Sequence, residues 1–167
     1  MSKITLLVTK ALVLVLFLSS AYYATSFYKL RQKTEHIKVS SATEQPQIDY
    51  VNAIRAAHNL PALKEDAELT AAAKAKVQDL ISRRYFNHNT PEGQKFSNLV
   101  NQYRPGLTHY GENLGKCYPS LAELYKSYEA SPEHLVNIVK PAYTLFGSYS
   151  QWDPTRHCLI NSNEFGG

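Results

Sequence analysis

Two cysteines are the side chains of this sequence whose chemistry is easiest to assign. Cys117 and Cys158 can pair within the chain only with each other, and the bridge would close a loop of roughly 40 residues, worth about 3–4 kcal/mol. No C-x-x-C, H-E-x-x-H or G-x-S-x-G motif occurs, which disfavours a redox or zinc role for the cysteines and a zincin or serine-hydrolase nucleophile. The pattern predicts a disulfide that joins a mid-domain loop to a C-terminal strand.

Composition and charge exclude two broad classes of protein. Hydrophobic residues make up 44% and charged residues 19% of the 167-residue chain, which is ordinary globular usage and argues against extensive disorder. The formal net charge is +4, but 6 of the 18 Lys and Arg residues lie before position 45. The remainder is nearly balanced and shows no basic stripe, so we expect no nucleic-acid partner.

The first 28 residues have the order of an export signal. Lys3 and Lys10 precede the apolar run 11–18, and small residues follow it. Counted through Tyr28, the apolar stretch also reaches bilayer-spanning length, with basic residues directly after it. Residues 1–28 are therefore either a signal peptide or a single-pass signal-anchor that would hold the chain on a membrane. Both alternatives predict an extracellular or cell-envelope location.

A polar linker and a helical half follow this segment. Residues 29–44 lack hydrophobic periodicity and indicate a linker. The pattern then predicts a helix from Pro46 to His58 and a second helix from an Asp66 N-cap to about Arg84. In the second helix, Lys76 is assigned to the polar face.

The C-terminal half combines long loops, short helices and strands. Proline and glycine residues within 86–115 predict long loops. Ser120 to Glu123 forms a capping box before one helix, and Ser131 is the predicted N-cap of a short helix that ends near Val139. Runs at 143–150 and 157–161 predict a β-hairpin. Helices followed by strands indicate an α+β layered domain in residues 45–167.

Four segments occur in a fixed order: Asn52–Leu63 with its Leu-Pro-Ala-Leu turn, Tyr85–Gly93 (YFNHNTPEG), Gly111–Leu114 (GENL) and Tyr128–Ile138 (YEASPEHLVNI). Together they resemble the CAP domain (also called the SCP domain) of cysteine-rich secretory, antigen 5 and plant pathogenesis-related proteins, especially its short bacterial form. The resemblance covers roughly the last 120 residues. It implies an α-β-α sandwich, in which a central antiparallel sheet lies between helical layers with a cleft on one side.

The resemblance also implies a polar cluster in that cleft. Many members hold two histidines and two glutamates there, and His88, Glu112 and His134 match three of these positions. The second acid does not match, because Ser131 takes its place; Glu129 is a possible fourth ligand. Tyr128 and Glu133 stand where Trp and Gly are usual in the family.

Two imidazoles and a carboxylate from separate segments suit a divalent metal such as zinc, with water in an open position. The same His88, Glu112 and His134 could instead form a buried hydrogen-bonded network that fixes three loops. The spacing does not choose between these alternatives. We expect Asn113 and Asn137 to bridge backbone groups in their loops, which is a structural role.

Two functions fit these observations. The first is a non-catalytic binding module, whose cleft would take a small molecule, lipid, glycan or peptide. The alternative is a metal-assisted hydrolase, a peptidase or esterase in which bound water attacks a peptide or ester bond and a glutamate acts as the base. The missing second glutamate favours the binding module, because a hydrolase needs a base beside its metal.

Overall fold

The computed structural model describes Tyr23 and residues 46–167. One compact unit spans Gln45–Gly167. The predicted signal segment 1–28 and linker 29–44 lie outside the described residues, apart from Tyr23. In the described part of the chain, no helix is both long enough and apolar enough to cross a bilayer.

The described unit alternates helices with the strands of one sheet. In chain order, the elements are α1 (Gln47–Ala57), β1 (Lys64–Glu65), α2 (Ala67–Ser82), α3 (Phe96–Tyr103), β2 (Tyr110–Tyr118), α4 (Leu121–Ala130), α5 (Pro132–Ile138), β3 (Leu145–Asp153) and β4 (Cys158–Gly166). The strand order is β1-β3-β4-β2, antiparallel except for the short parallel β1–β3 pair. Strand β2 is therefore an edge strand.

The two faces of the sheet are covered by different helices, as the period-2 alternation of side chains requires. On one face, Leu114 of β2 and Ile160 of β4 pack against Val77 and Leu80 of α2. On the other face, Phe165 belongs to a core cluster that includes residues of α1, α4 and α5. The predicted α-β-α sandwich is confirmed.

Local signals fix the first residues of α2 and α4 where the sequence predicts them. Asp66 caps α2, because its Oδ1 accepts from the backbone N–H groups of Glu68 and Leu69 at 3.0 and 2.9 Å. The Ser120 hydroxyl likewise accepts from the backbone N–H of Glu123 at 3.2 Å at the start of α4. Both helix starts are confirmed.

The prediction of long loops, with short elements at best, across 86–115 is wrong for residues 110–115, which belong to the nine-residue strand β2; the eight-residue helix α3 is a short element of the kind allowed for. Glycine usually indicates a turn or loop, but Gly111 and Gly115 lie inside β2, where close packing requires them. A Cβ at Gly111 would overlap the Tyr143 hydroxyl, and one at Gly115 would overlap the Leu124 side chain.

The disulfide between Cys117 and Cys158 is confirmed, with its Cα atoms 4.6 Å apart and a sequence separation of 41. Its position differs from the prediction, since Cys117 lies in β2 rather than in a loop. The β2–β4 register is irregular between Lys116 and Tyr118, and Cys117 between them has φ +66. This bulge places Cys117 next to the beginning of β4.

Candidate functional site

Glu112 lies on edge strand β2, on the face that α2 covers, and is 3% exposed. The register of β2 and β4 pairs it directly with Glu164, which is fully buried. Two carboxyl groups at opposed positions on one face of an antiparallel pair are close neighbours. Both cannot carry an uncompensated charge in this environment.

Glu164 is the member of this pair that its surroundings drive towards the protonated form. Burial raises the pKa of Glu164 well above its ordinary value, and the charge of Glu112 raises it further. Its Oε1 accepts from the Ser162 hydroxyl at 2.9 Å. The Oε2 atoms of both glutamates are buried and have no hydrogen-bond partner in the structure. A proton on Glu164 would reduce the repulsion between the two carboxyl groups.

Lys76 supplies the positive charge next to Glu112. Its side chain is 2% exposed, and its Nζ lies 4.0 Å from Glu112 Oε2. The ammonium also donates to the backbone carbonyls of Asn87 at 2.8 Å and His88 at 2.6 Å. The assignment of Lys76 to the polar helix face is therefore wrong. A signal was present, because positions 69, 76 and 80 share one helical stripe and Leu69 and Leu80 are core residues.

His88 is fixed by both of these buried groups. Its Nδ1 bonds to Glu112 Oε1 at 2.7 Å; since a carboxylate only accepts, the imidazole donates there. Its backbone carbonyl is held by Lys76. The His88 side chain is nevertheless 53% exposed, so the ring can present Nε2 to a ligand in a defined tautomer.

His134 lies in the first turn of α5 and is tied to that helix. Its Nδ1 lies 2.8 Å from the Ser131 hydroxyl, and its ring stacks on Tyr128 with centroids 4.8 Å apart. Burial lowers the pKa of His134, and the charge of His88 lowers it further, against an opposing effect of Glu133. The imidazole is therefore neutral at pH 7. Ser131 begins α5 as predicted, but its hydroxyl makes no capping bond.

Two asparagines join α5 to β2. The Asn113 side-chain amide donates to the His134 carbonyl at 3.0 Å, and that of Asn137 donates to the Glu112 carbonyl at 3.1 Å. The two side chains also bond to each other at 2.8 Å. The prediction that they bridge backbone groups is confirmed, but Asn113 lies in β2 and Asn137 in α5 rather than in loops. The bridges fix Glu112 relative to His134.

The donor set does not fit a three-ligand zinc site in this arrangement. Glu112 uses Oε1 on His88, while its Oε2 faces the Lys76 ammonium. Among the residues that the structure describes, no three His, Cys, Asp or Glu side chains are grouped so as to hold a metal ion. Glu129, the possible fourth ligand, is exposed on α4. Metal binding by His88, Glu112 and His134 stays a prediction.

A cavity of about 300 Å³ lies beside His88, between α2, the segment that follows it and α3. This volume is at the lower end of the range for small-molecule sites. Tyr85, Phe96 and Leu99 line its apolar parts. Beside His88, charged side chains of both signs also line it: Lys76, Asp79, Arg83, Glu92 and Lys95.

Two residues of the site, Glu164 and Lys76, were not predicted from the sequence. The predicted strand ended at Asn161, whereas β4 continues to Gly166. Once the strand is extended, alternation from the core residue Ile160 places Ser162 and Glu164 on the face covered by α2. The polar composition of this stretch concealed its strand character.

Comparisons with known proteins agree with the fold and the motif order. Residues 48–154 match the model of the CAP, cysteine-rich secretory protein family. YkwD, an uncharacterized protein of Bacillus subtilis, is 30% identical over 107 residues, which are 64% of this chain and 42% of YkwD. The chain thus spans less than half the length of this curated relative.

Solved structures share the fold at low identity. An outer surface protein of Borrelia burgdorferi has a TM-score of 0.66 at 20% identity, over 71% of this chain and 87% of that one. An extracellular SCP-domain protein of Bacillus anthracis has a TM-score of 0.65 at 20% identity, over 75% of this chain and 45% of that one. The resemblance that the four motifs carry is confirmed.

Proposed function

The chain belongs to the CAP family of cysteine-rich secretory proteins, and we propose that it is an exported bacterial module that binds a small polar ligand through His88. The observation that carries this proposal is the state of that imidazole. It is half-exposed at the wall of a cavity, while a buried carboxylate fixes its ring and a buried ammonium fixes its backbone. A preorganised donor or acceptor beside a cavity is what specific recognition needs.

The lining of the cavity favours a polar ligand over a lipid. Arg83, Asp79 and Glu92 line this space and form ion pairs with one another there, and Lys95 lines it as well. A ligand that carries hydrogen-bonding or charged groups can bind to these side chains, whereas an acyl chain would remove them from water without offering new partners. We therefore propose a peptide, an amino sugar or a similar small molecule as the ligand class.

The contacts of Glu112 favour binding over metal-assisted hydrolysis. A general base must reach the proton that it removes, but one Glu112 oxygen bonds to His88 and the other is buried next to Lys76. The carboxylate therefore acts on His88 and not on a substrate in the cavity.

One contact supports a second candidate function. The Ser131 hydroxyl lies 2.8 Å from Nδ1 of His134, and burial lowers the pKa of that imidazole so that it is a neutral base at pH 7. A hydroxyl next to a neutral imidazole is the minimal arrangement for acyl transfer. Labelling of Ser131 by a fluorophosphonate, lost in Ser131→Ala and in His134→Ala, would favour this alternative.

Binding is tested on the purified full chain with a library of short peptides, amino sugars and small polar molecules. Proton NMR follows the His88 imidazole resonances during each titration. We expect a ligand that shifts them and that binds at least about tenfold more weakly to His88→Ala. His109→Ala is the matched control, because His109 is exposed and does not line the cavity. Equal affinity for His88→Ala and the wild type would refute the proposed site.

Export is the other part of the proposal. It is supported by the order of charged, apolar and small residues in 1–28, and the related Bacillus anthracis protein is extracellular. We expect activity from a fusion, after Lys33, of a reporter that is active only outside the cytoplasm. A fusion that stays active in the cytoplasm would contradict it.

A further inference from the structure

The Lys76 ammonium is held inside the protein by three groups. Its Nζ donates to two backbone carbonyls, at 2.8 and 2.6 Å, and forms an ion pair with the carboxylate of Glu112 at 4.0 Å, beyond hydrogen-bond distance. A charge that is buried this deeply persists only when an opposite charge compensates it. Glu112 supplies that charge, because its carboxylate lies within ion-pair distance of Nζ.

Lys76 occupies the position from which a divalent metal would bind the Glu112 carboxylate. A divalent metal near His88 would need the Glu112 carboxylate as its anionic ligand, because two neutral imidazoles alone make a poor zinc site. The free oxygen of that carboxylate, Oε2, is the one that faces Lys76. A cation that binds there must therefore either displace the ammonium or be repelled by it.

We infer that Lys76 is the resident cation of this site, that it takes the place of a divalent metal, and that it makes the site metal-independent. In this role Lys76 is a positioning residue for His88. It fixes the carbonyl of His88 directly and orients the imidazole through Glu112. The inference rests on contacts within the chain, and it stands whether or not the proposed polar ligand is found.

Zinc titration of the purified, chelator-treated full chain tests this inference. Isothermal calorimetry at neutral pH compares the wild type with Lys76→Met, which keeps the length of the side chain and removes its charge. We expect weak binding by the wild type and a gain of about tenfold or more in zinc affinity in Lys76→Met, because Glu112 then lacks its cation. The gain should disappear in the double variant Lys76→Met/Glu112→Gln.

Lys74→Met is the matched control, since Lys74 is an exposed lysine on the same helix; its zinc affinity should equal that of the wild type. Equal affinity of Lys76→Met and the wild type would overturn the inference, as would tight zinc binding by the wild type that His88→Ala abolishes. If Lys76→Met does not fold, NMR of the wild type tests the inference instead. One equivalent of Zn²⁺ should leave the His88 imidazole resonances in place, and their shift would overturn the inference.

Discussion

Replacing Glu164 by glutamine should make the protein more stable, and the gain should increase with pH. The pKa of Glu164 is raised in the folded protein by burial and by the charge of Glu112, whereas the unfolded chain ionises near pH 4.3. Between these two values the native state holds one proton more than the unfolded state. The free energy of unfolding therefore falls by about 1.4 kcal/mol per pH unit across this window.

Glutamine removes this dependence without removing the hydrogen bonds. Its side-chain oxygen can accept from the Ser162 hydroxyl, as Glu164 Oε1 does at 2.9 Å, and its amide can donate to Glu112 in place of the carboxyl proton. From pH 5.5 to 7.0, the stability difference between Glu164→Gln and the wild type should grow in favour of the variant, by at most about 2 kcal/mol for one proton.

Urea unfolding at both pH values, with the disulfide intact, measures this difference directly. The matched control is Glu129→Gln, because Glu129 is exposed on α4 and its substitution should give no pH-dependent difference. A difference that stays constant with pH would refute the neutral Glu164. A Glu164→Gln variant that loses stability relative to the wild type as pH rises would show that Glu164 is ionised and paired with Lys76.

Three further variants test the packing around the site by urea unfolding. The free energy of unfolding should fall by about 3–5 kcal/mol in Lys76→Met, because the substitution leaves the buried charge of Glu112 uncompensated. An equal fall in the exposed Lys74→Met would contradict this. Replacing Cys117 and Cys158 by alanine should cost about 4 kcal/mol for a loop of 41 residues; an unchanged midpoint would show that the bridge does not stabilise the fold. Tyr128→Phe should cost about 1–3 kcal/mol because its hydroxyl donates to the buried Asn161 at 2.9 Å, and a neutral result would indicate that water replaces it.

The sequence predicted the elements whose signals are local. Asp66 and Ser120 begin helices because their side chains accept hydrogen bonds from the backbone N–H groups three residues later. Such bonds depend only on nearby residues. The four motifs predicted the family and therefore the fold. The pairing of the two cysteines needed no geometry, since no other partner exists within the chain.

Features that depend on partners distant in sequence could not be predicted in this way. Gly111 signals a loop when it is seen alone, but in the fold it admits the Tyr143 hydroxyl. Lys76 signals a solvated helix face, but in the fold it bonds to carbonyls of residues 87 and 88. The role of Glu164 depends on the β2–β4 register, which pairs it with Glu112.

The Gly-Glu-Asn-Leu segment of β2 shows why one short motif can control a whole site. Its side chains alternate between the two faces of an edge strand, so Glu112 reaches His88 on the face covered by α2, while Asn113 reaches the His134 carbonyl on the other. Leu114 returns to the α2 face as a core residue. A shift of one residue in the β2–β4 register would exchange these faces and would remove Glu112 from both Glu164 and His88. Pairing of β2 with β4 therefore both completes the sheet and positions the imidazole that we propose for ligand binding.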